Sequence, residues 1–275
     1  MPSRRDLPSE SSYLGFLAYR ARPKTPPNKR PSKSGSPRPG RSLKGRLTRL
    51  PVWKRLLLGI GLAITAFYGA AILALFGLRW IDPPTTSVQV ERRIESWFAK
   101  SGPGFQPYHK EYTPLPLSRI APDLQHAVVS AEDARFLKHN GFDWKEIEQA
   151  ANNDLEGRRL RGASTITQQL VKNLFLTTSR TAIRKAIEIT LVPPAEMILG
   201  KQRILELYLN VIEWGPGVYG AEAAARYHYR TSALRLTRDE AARLAAIIPA
   251  PRHRKPAAMN EGSERIEKRM REVGW

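Results

Sequence analysis

Four segments of the chain carry polar side chains at spacings that could do chemistry. In Ala131-Glu132-Asp133-Ala134-Arg135-Phe136-Leu137-Lys138-His139-Asn140-Gly141-Phe142-Asp143, two carboxyls close an apolar run just before a Gly-bearing loop. A carboxyl at such a place can be partly desolvated, which raises its pKa and makes it a usable general base. The same pattern describes an ordinary solvated helix end, and His139 alone fits a hydrogen-bonded structural histidine. In Gly162-Ala163-Ser164-Thr165-Ile166-Thr167-Gln168-Gln169-Leu170-Val171-Lys172-Asn173, the residues Thr165, Gln168 (or Gln169) and Lys172 recur at three to four positions and so share a helix face. That face offers hydroxyl, amide and ammonium groups suited to sugar and phosphate oxygens, although a solvated face has the same look.

The third segment, Ser179-Arg180-Thr181-Ala182-Ile183-Arg184-Lys185-Ala186-Ile187-Glu188, sets Arg180, Arg184 and Glu188 at successive spacings of four. An intrahelical ion pair between Arg184 and Glu188 accounts for part of this without any function. The fourth, Lys201 to Asn210, reads on its own as core and scaffold.

The elements that must hold these residues are mostly helices joined by short loops. Pro122 occupies a first-turn position, followed by Leu124, Val128 and Ala131 at helical spacing. Ile166, Leu170 and Leu174 form a second stripe. Further helices are predicted from about Thr181 to Leu191 and from about Lys201 to Asn210. Thr237-Arg238-Asp239-Glu240 is a capping-box signature ahead of Ala241, Leu244, Ala245 and Ile248, and Pro249 and Pro251 stop that helix. No alternating β-rich series competes, so the domain is mainly α.

Ahead of it, Leu56–Leu78 has no ionisable side chain other than Tyr68. At helical rise this run reaches roughly 35 Å, enough to cross a ~30 Å hydrocarbon core. Trp53 and Trp80 flank it as interfacial rings do, and the run is longer and starts later than a signal peptide's apolar stretch. Arg41, Lys44, Arg46, Arg49, Lys54 and Arg55 crowd its N-terminal side, so the positive-inside asymmetry puts the N-terminus in the cytoplasm and the domain outside. Residues 1–55 hold 15 of the 45 Lys and Arg but only Asp6 and Glu10 as acids, so much of the net charge of +20 belongs to this tail. Its Pro, Ser and Gly content gives no core-forming pattern, and it has neither a zinc-finger nor a helix-turn-helix motif, so no nucleic-acid partner is expected. Cysteine is absent, which removes disulfides, thiolate metal sites and thiol nucleophiles together. The organisation expected is a disordered basic cytoplasmic tail (1–52), a transmembrane helix (53–80) and a catalytic domain (81–275).

Taken together and in order, Glu132–Asp143, Gly162–Leu176, Arg184–Glu188, Lys201–Asn210 and Gly215–Ala225 resemble the peptidoglycan glycosyltransferases, specifically the monofunctional biosynthetic members. The resemblance implies a lysozyme-like, mainly α fold with a small membrane-proximal lobe. It implies lipid II and the growing glycan chain as substrates, an inner-membrane location with the catalytic domain in the periplasm, and cell-division or elongation proteins as partners to look for. By this resemblance Glu132 takes the proton of the acceptor 4-hydroxyl as that oxygen attacks the anomeric carbon of the lipid-linked chain, with inversion. Pyrophosphate leaves as a stable anion, so it needs positive charge where ordinary glycoside cleavage needs an acid. Lys172, Arg180 and Arg184 would supply it. Glu188 matches a second functional glutamate that orients those cations or a divalent metal. Ser164, Gln168 and Gln169 would hold sugar or phosphate oxygens, with Asp133, Phe136, His139 and Lys185 in support. No obligatory cofactor and no dedicated metal ligand set is expected, although Mg or Mn at the pyrophosphate is compatible with the chemistry.

Two departures stand out. Val192-Pro193-Pro194 should end or kink the helix after Glu188 and disturb the placement of Glu196. Tyr229-Arg230 replaces a Phe followed by a small residue, a change expected to be tolerated at a surface. A lytic, lysozyme-like enzyme would keep the helix-end glutamate but not need the Lys172/Arg180/Arg184 cluster. A non-enzymatic cell-wall scaffold would have no use for the polar face of 164–173. Ser-x-x-Lys does not occur in the chain, so a penicillin-binding half is not expected.

Overall fold

The computed structural model of the chain describes residues 51–98, 108–155 and 164–275. The tail up to residue 50, and Gly162-Ala163 of the second polar segment, lie outside the described residues. Residues 56–275 form one compact unit.

Helix α1 (Val52–Leu78) is the apolar run, with a mean hydropathy of 2.2 and only 6% of its apolar window buried. It fits single-pass membrane anchoring and does not behave as the core helix of a soluble domain. Only its last turns touch protein: Ala71, Leu75 and Leu78, spaced i, i+4 and i+7, are buried against the domain. Arg203 Nε donates to the Leu78 carbonyl at 2.7 Å and its Nη1 pairs with Asp82 at 2.9 Å, so a cation sits where the helix dipole is negative. Thr86 and Gln89 exchange side-chain and backbone hydrogen bonds to open helix α2 (Ser87–Phe98).

The elements that carry the candidate site residues follow. Helix α3 (Pro122–Glu132) starts on the expected proline and buries Leu124, Ala127 and Val128. Helix α4 (Trp144–Leu155) leads away from the Gly141 loop. Helix α5 (Ile166–Phe175) is opened by a capping box in which Thr165 accepts from the Gln168 backbone and Gln168 Oε1 accepts from the Thr165 N–H. Helix α6 (Ala182–Val211) packs along α5.

Helix α6 corrects one expectation. It runs through Pro193 and Pro194 without leaving helical angles, and the break comes later, at Gly200 (φ 72°, ψ 163°). The carbonyls deprived of partners by the two prolines belong to Ile189 and Thr190, both exposed residues, so the missing bonds fall on the outer side of the helix. Residues 182–199 and 201–211 therefore meet at a glycine, whose backbone region is closed to side-chain-bearing residues. Glu196 remains in register, accepting from Thr167 Oγ1 (2.5 Å) and Lys201 Nζ (2.8 Å).

The rest closes the domain. Strands β1 (Glu111–Tyr112), β2 (Glu213–Gly215) and β3 (Val218–Tyr219) form a small sheet in the order β1-β3-β2, with β1 parallel and β2 antiparallel to β3. Strands of two or three residues leave no period to detect, which is why alternation did not reveal them. Helix α7 (Ala221–Tyr229) ends on Arg230, whose φ of 55° makes it the described non-glycine residue with positive φ. Helix α8 (Arg238–Ile247) begins with the expected Thr237/Glu240 capping box, and α9 (Asn260–Glu272) packs on α8 and α3. The domain is mainly α.

Candidate active site

Glu132 is the last residue of α3, and its carboxyl meets α5 across the cleft: Gln169 Nε2 donates to Glu132 Oε2 at 2.8 Å. The Gln169 amide cannot flip, because its Oε1 accepts from the hydroxyl of the fully buried Tyr208 at 2.9 Å. Tyr208, Gln169 and Glu132 thus form an oriented chain across three helices. Burial raises the Glu132 pKa from its ordinary value, opposed by the Gln169 hydrogen bond and by the charge of Lys172. A raised pKa makes its carboxylate a stronger base than an exposed one. Tyr208 lay within the segment read from sequence as scaffold. Its neighbours are apolar and only the fold aims its hydroxyl at Gln169.

Asp133 has the opposite task. It is 1% exposed, with Oδ1 accepting from His139 Nε2 at 2.8 Å and Oδ2 from the Ile166 N–H at 3.1 Å. It therefore fastens the 133–143 loop to the positive end of α5, the helix that carries Gln169 and Lys172. His139 Nδ1 accepts from the Gly141 N–H at 3.2 Å, which makes Nε2 the protonated nitrogen facing Asp133. Phe136 is buried beneath, with Lys201 Nζ 4.4 Å from its ring centroid. Asp133, Phe136 and His139 hold the glutamate's surroundings in place and do not face the cleft.

The cationic side lies along α5 and α6. Glu188 is buried, and accepts from Arg184 Nη1 and Lys185 Nζ, each at 2.5 Å. Lys185 Nζ also reaches Ser164 Oγ at 3.4 Å. Arg184 Nε donates to the Ser179 carbonyl at 2.6 Å, so the loop bearing Arg180 is tied to the same cluster. Burial lowers the Lys172 pKa, with Glu188 and Glu132 pulling it back up. Lys172, Arg180 and Arg184, with Gln169, line a cavity of about 520 Å³. Arg92 of α2 and Arg252, which no spacing linked to the site, line it too, and both pair with Glu213.

Glu132 opens on the other side into a cavity of about 320 Å³ shared with Ser164 and Gln169, and into one of about 610 Å³ lined by Arg254, Arg265 and Arg269. The carboxyl lines these two spaces, each bordered by cations, and Gln169 lines both the 320 Å³ cavity and the cationic one. No motif or spacing in the sequence linked these C-terminal arginines to Glu132.

One assignment needs correcting. Gln168 is 4% exposed and its side chain completes the α5 capping box, so it is turned away from the substrate oxygens that the family resemblance assigned to it. Thr165 is likewise the N-cap and not a member of the exposed face. Gln169 alone of the pair reaches the cleft.

Two places among the described residues can be tested against a divalent metal. Among the described residues Asp133, His139 and Asp143 cluster closely enough to hold an ion. The His139 nitrogens are both engaged, however, and Asp143 Oδ1 already pairs with Arg135 at 3.2 Å. At Glu188 an ion would have to displace two cationic donors. Asp143 Oδ2, by contrast, is buried without a hydrogen-bond partner among the described residues.

The chain can be set beside known proteins with this geometry in view. The family described as Transglycosylase matches residues 102–274. The chain is 43% identical over 196 residues to the biosynthetic peptidoglycan transglycosylase of Pseudomonas entomophila (strain L48), covering 71% of this chain and 81% of that protein. It is 43% identical over 218 residues to the one from Laribacter hongkongensis (strain HLHK9), covering 73% and 93%. It is 39% identical over 238 residues to that of Ectopseudomonas mendocina (strain ymp), covering 85% and 91%. With the helix-end glutamate, the cationic cavity and the mainly α domain all present, this chain belongs to the Transglycosylase family and is a peptidoglycan glycosyltransferase.

Proposed function

We propose that the protein polymerises lipid II into glycan strands with inversion at the anomeric carbon. The observation that carries this reading is the pairing of a desolvated, amide-held Glu132 with the Lys172/Arg180/Arg184 cavity beside it. The donor's diphosphate lies in that cavity, where fixed positive charge stabilises the anion as its bond to the anomeric carbon breaks. The acceptor enters from the Ser164 side, and its 4-hydroxyl oxygen forms the new bond while its proton passes to Glu132. Glu188 keeps Arg184 and Lys185 in place, which makes it a positioning residue. A hydrolase would use a raised-pKa carboxyl to protonate an alkoxide, and the cations would then have no charge to meet.

Helix α1 holds enzyme and lipid substrate in one membrane, which raises their effective concentration. The basic N-terminal flank favours a cytoplasmic tail and a periplasmic domain at the inner membrane. Exposed Leu137, Trp144, Ile183 and Met197 suit a lobe that meets the bilayer.

Glu132→Gln keeps the Gln169 contact nearly isosteric but removes the base. Purified full-length protein given lipid II should form long strands, and this variant should lose at least about 100-fold in rate. Polymerisation retained by the variant, or shortening of purified peptidoglycan by the parent protein, would overturn the reading.

A further inference from the structure

The three cavities around Glu132 form one cleft through the residues they share. Pro249 lines all three, and Gln169 lines the cationic cavity and the one of about 320 Å³. Ala131, Glu132 and Arg269 line both that middle space and the cavity of about 610 Å³. The donor diphosphate accounts for the cations at one end. Those at the other end, Arg254, Arg265 and Arg269, call for a different anion.

Helix α9 builds that end. Its Ser263, Ile266 and Met270 are buried, while Glu261, Arg265 and Arg269, at successive spacings of four, line the cavity. The spacing permits an ion pair between Glu261 and Arg265, yet among the described residues Arg265 makes no ion pair and no hydrogen bond. Arg254 Nη1 donates to the Ala246 carbonyl at 3.0 Å, a bond that fixes the guanidinium without neutralising its charge. That charge is felt at Glu132, whose pKa it lowers. Arg269 Nη1 donates to the Ser130 carbonyl at 3.3 Å, which ties α9 to the helix that ends in Glu132. Ala245, Ala246, Met259 and Ile266 add apolar surface, and Asn260 an amide. Such a lining suits a short peptide with free carboxylates: arginine forks match the carboxylates, the amide matches peptide N–H and C=O groups, and the apolar part packs small side chains. A bare diphosphate would use none of the apolar surface and would meet Glu261 as a like charge.

We propose that the Arg254/Arg265/Arg269 end of the cleft is a subsite for the carboxylates of the short acidic peptide carried by the sugar whose anomeric carbon reacts. On that sugar the diphosphate and the peptide leave from different carbons, so cations at two ends of one cleft fit a single donor, with Glu132 in the lining between. The inference rests on the reading that lipid II is the substrate and the cationic cavity takes the donor diphosphate. It adds that the enzyme recognises the peptide as well as the phosphates.

The test uses the full chain in nanodiscs and three soluble probes: an N-acetylmuramyl peptide with free carboxylates, the same compound with its carboxyl groups converted to amides, and inorganic pyrophosphate. Wild-type protein should bind the acidic peptide about fivefold more tightly than the amide, the gain expected of two partly exposed ion pairs. Arg265→Gln, at an exposed position and compatible with a helix, should reduce that preference to below about twofold. No preference in the wild type, or an unaltered preference in the variant, would overturn the subsite. A loss of pyrophosphate affinity in the variant equal to its loss of acidic peptide would also overturn it, and would show instead that these arginines serve a phosphate, such as the acceptor's diphosphate. Polymerisation of lipid II by the wild type, followed in parallel, tests the underlying reading separately: strand synthesis with no carboxylate preference would remove only the subsite.

Discussion

At the scale of single residues, the proposed chemistry depends on how Glu132 is held. Desolvation favours its protonated form, while Gln169 and Lys172 favour the carboxylate. A base must be deprotonated, so the rate should rise with pH through the elevated pKa. Gln169→Ala removes an interaction that lowers it, and the acidic limb of the pH–rate profile should move to higher pH, with about a 10- to 100-fold loss near neutrality. Tyr208→Phe should shift the limb in the same direction but less, because it only frees the amide to rotate. An unmoved limb in both variants would separate the Tyr208–Gln169–Glu132 chain from catalysis. Stability runs the other way with pH. A carboxyl raised by folding contributes stability below its ordinary range, and that contribution is lost as pH rises through the folded value. Glu132→Gln should therefore melt no lower than the parent protein at neutral pH, and its relative advantage should vanish on acidification.

At the scale of elements, two backbone positions carry testable strain. Gly200 joins the halves of α6 in a conformation open essentially to glycine, with nothing within 4 Å of where a Cβ would stand. Gly200→Ala should cost about 1–3 kcal/mol through the backbone alone, measured by denaturant unfolding. Arg230 shows the reverse case. It closes α7 in the left-handed region, where the family usually has a small residue, so the departure noted in the sequence lies on a helix cap. Arg230→Gly should stabilise the protein by about 1 kcal/mol without affecting the cleft. Loss of stability in that variant would show that the arginine side chain contributes more than its backbone costs.

At the scale of the whole molecule, α1 fits a membrane anchor and is also a packing partner of the domain. Leu75 is fully buried against the domain, and the end of the helix is hydrogen-bonded to Arg203. A chain lacking residues 1–50 should still insert in membranes and polymerise lipid II at near-parental rates. A chain beginning after Leu78 should be less stable, by about 1.5–3 kcal/mol for the Leu75 contact alone, and should aggregate through the uncovered face. Equal thermal stability of the two shortened chains would show that α1 serves only as a tether.

What the amino-acid sequence determined by itself was whatever depends on neighbours in the chain. The apolar run of α1, the proline start of α3 and the capping boxes of α5 and α8 are local patterns, and the ion pair of Arg184 with Glu188 is one helical turn long. Glu132 at a helix end was legible for the same reason, whereas its grouping with Lys172, Arg180 and Arg184 came from the family resemblance. The sequence could not say which of two adjacent glutamines turns inward, because that is decided by the capping geometry at Thr165. It misplaced the break in α6, since the cost of Pro193 and Pro194 falls on exposed carbonyls while Gly200 can take a conformation other residues cannot. Tyr208, Arg92, Arg252 and the C-terminal arginines entered the site only through tertiary structure. They lie far from Glu132 along the chain, and only packing of α2, α6, α8 and α9 around one cleft brings their polar atoms to it.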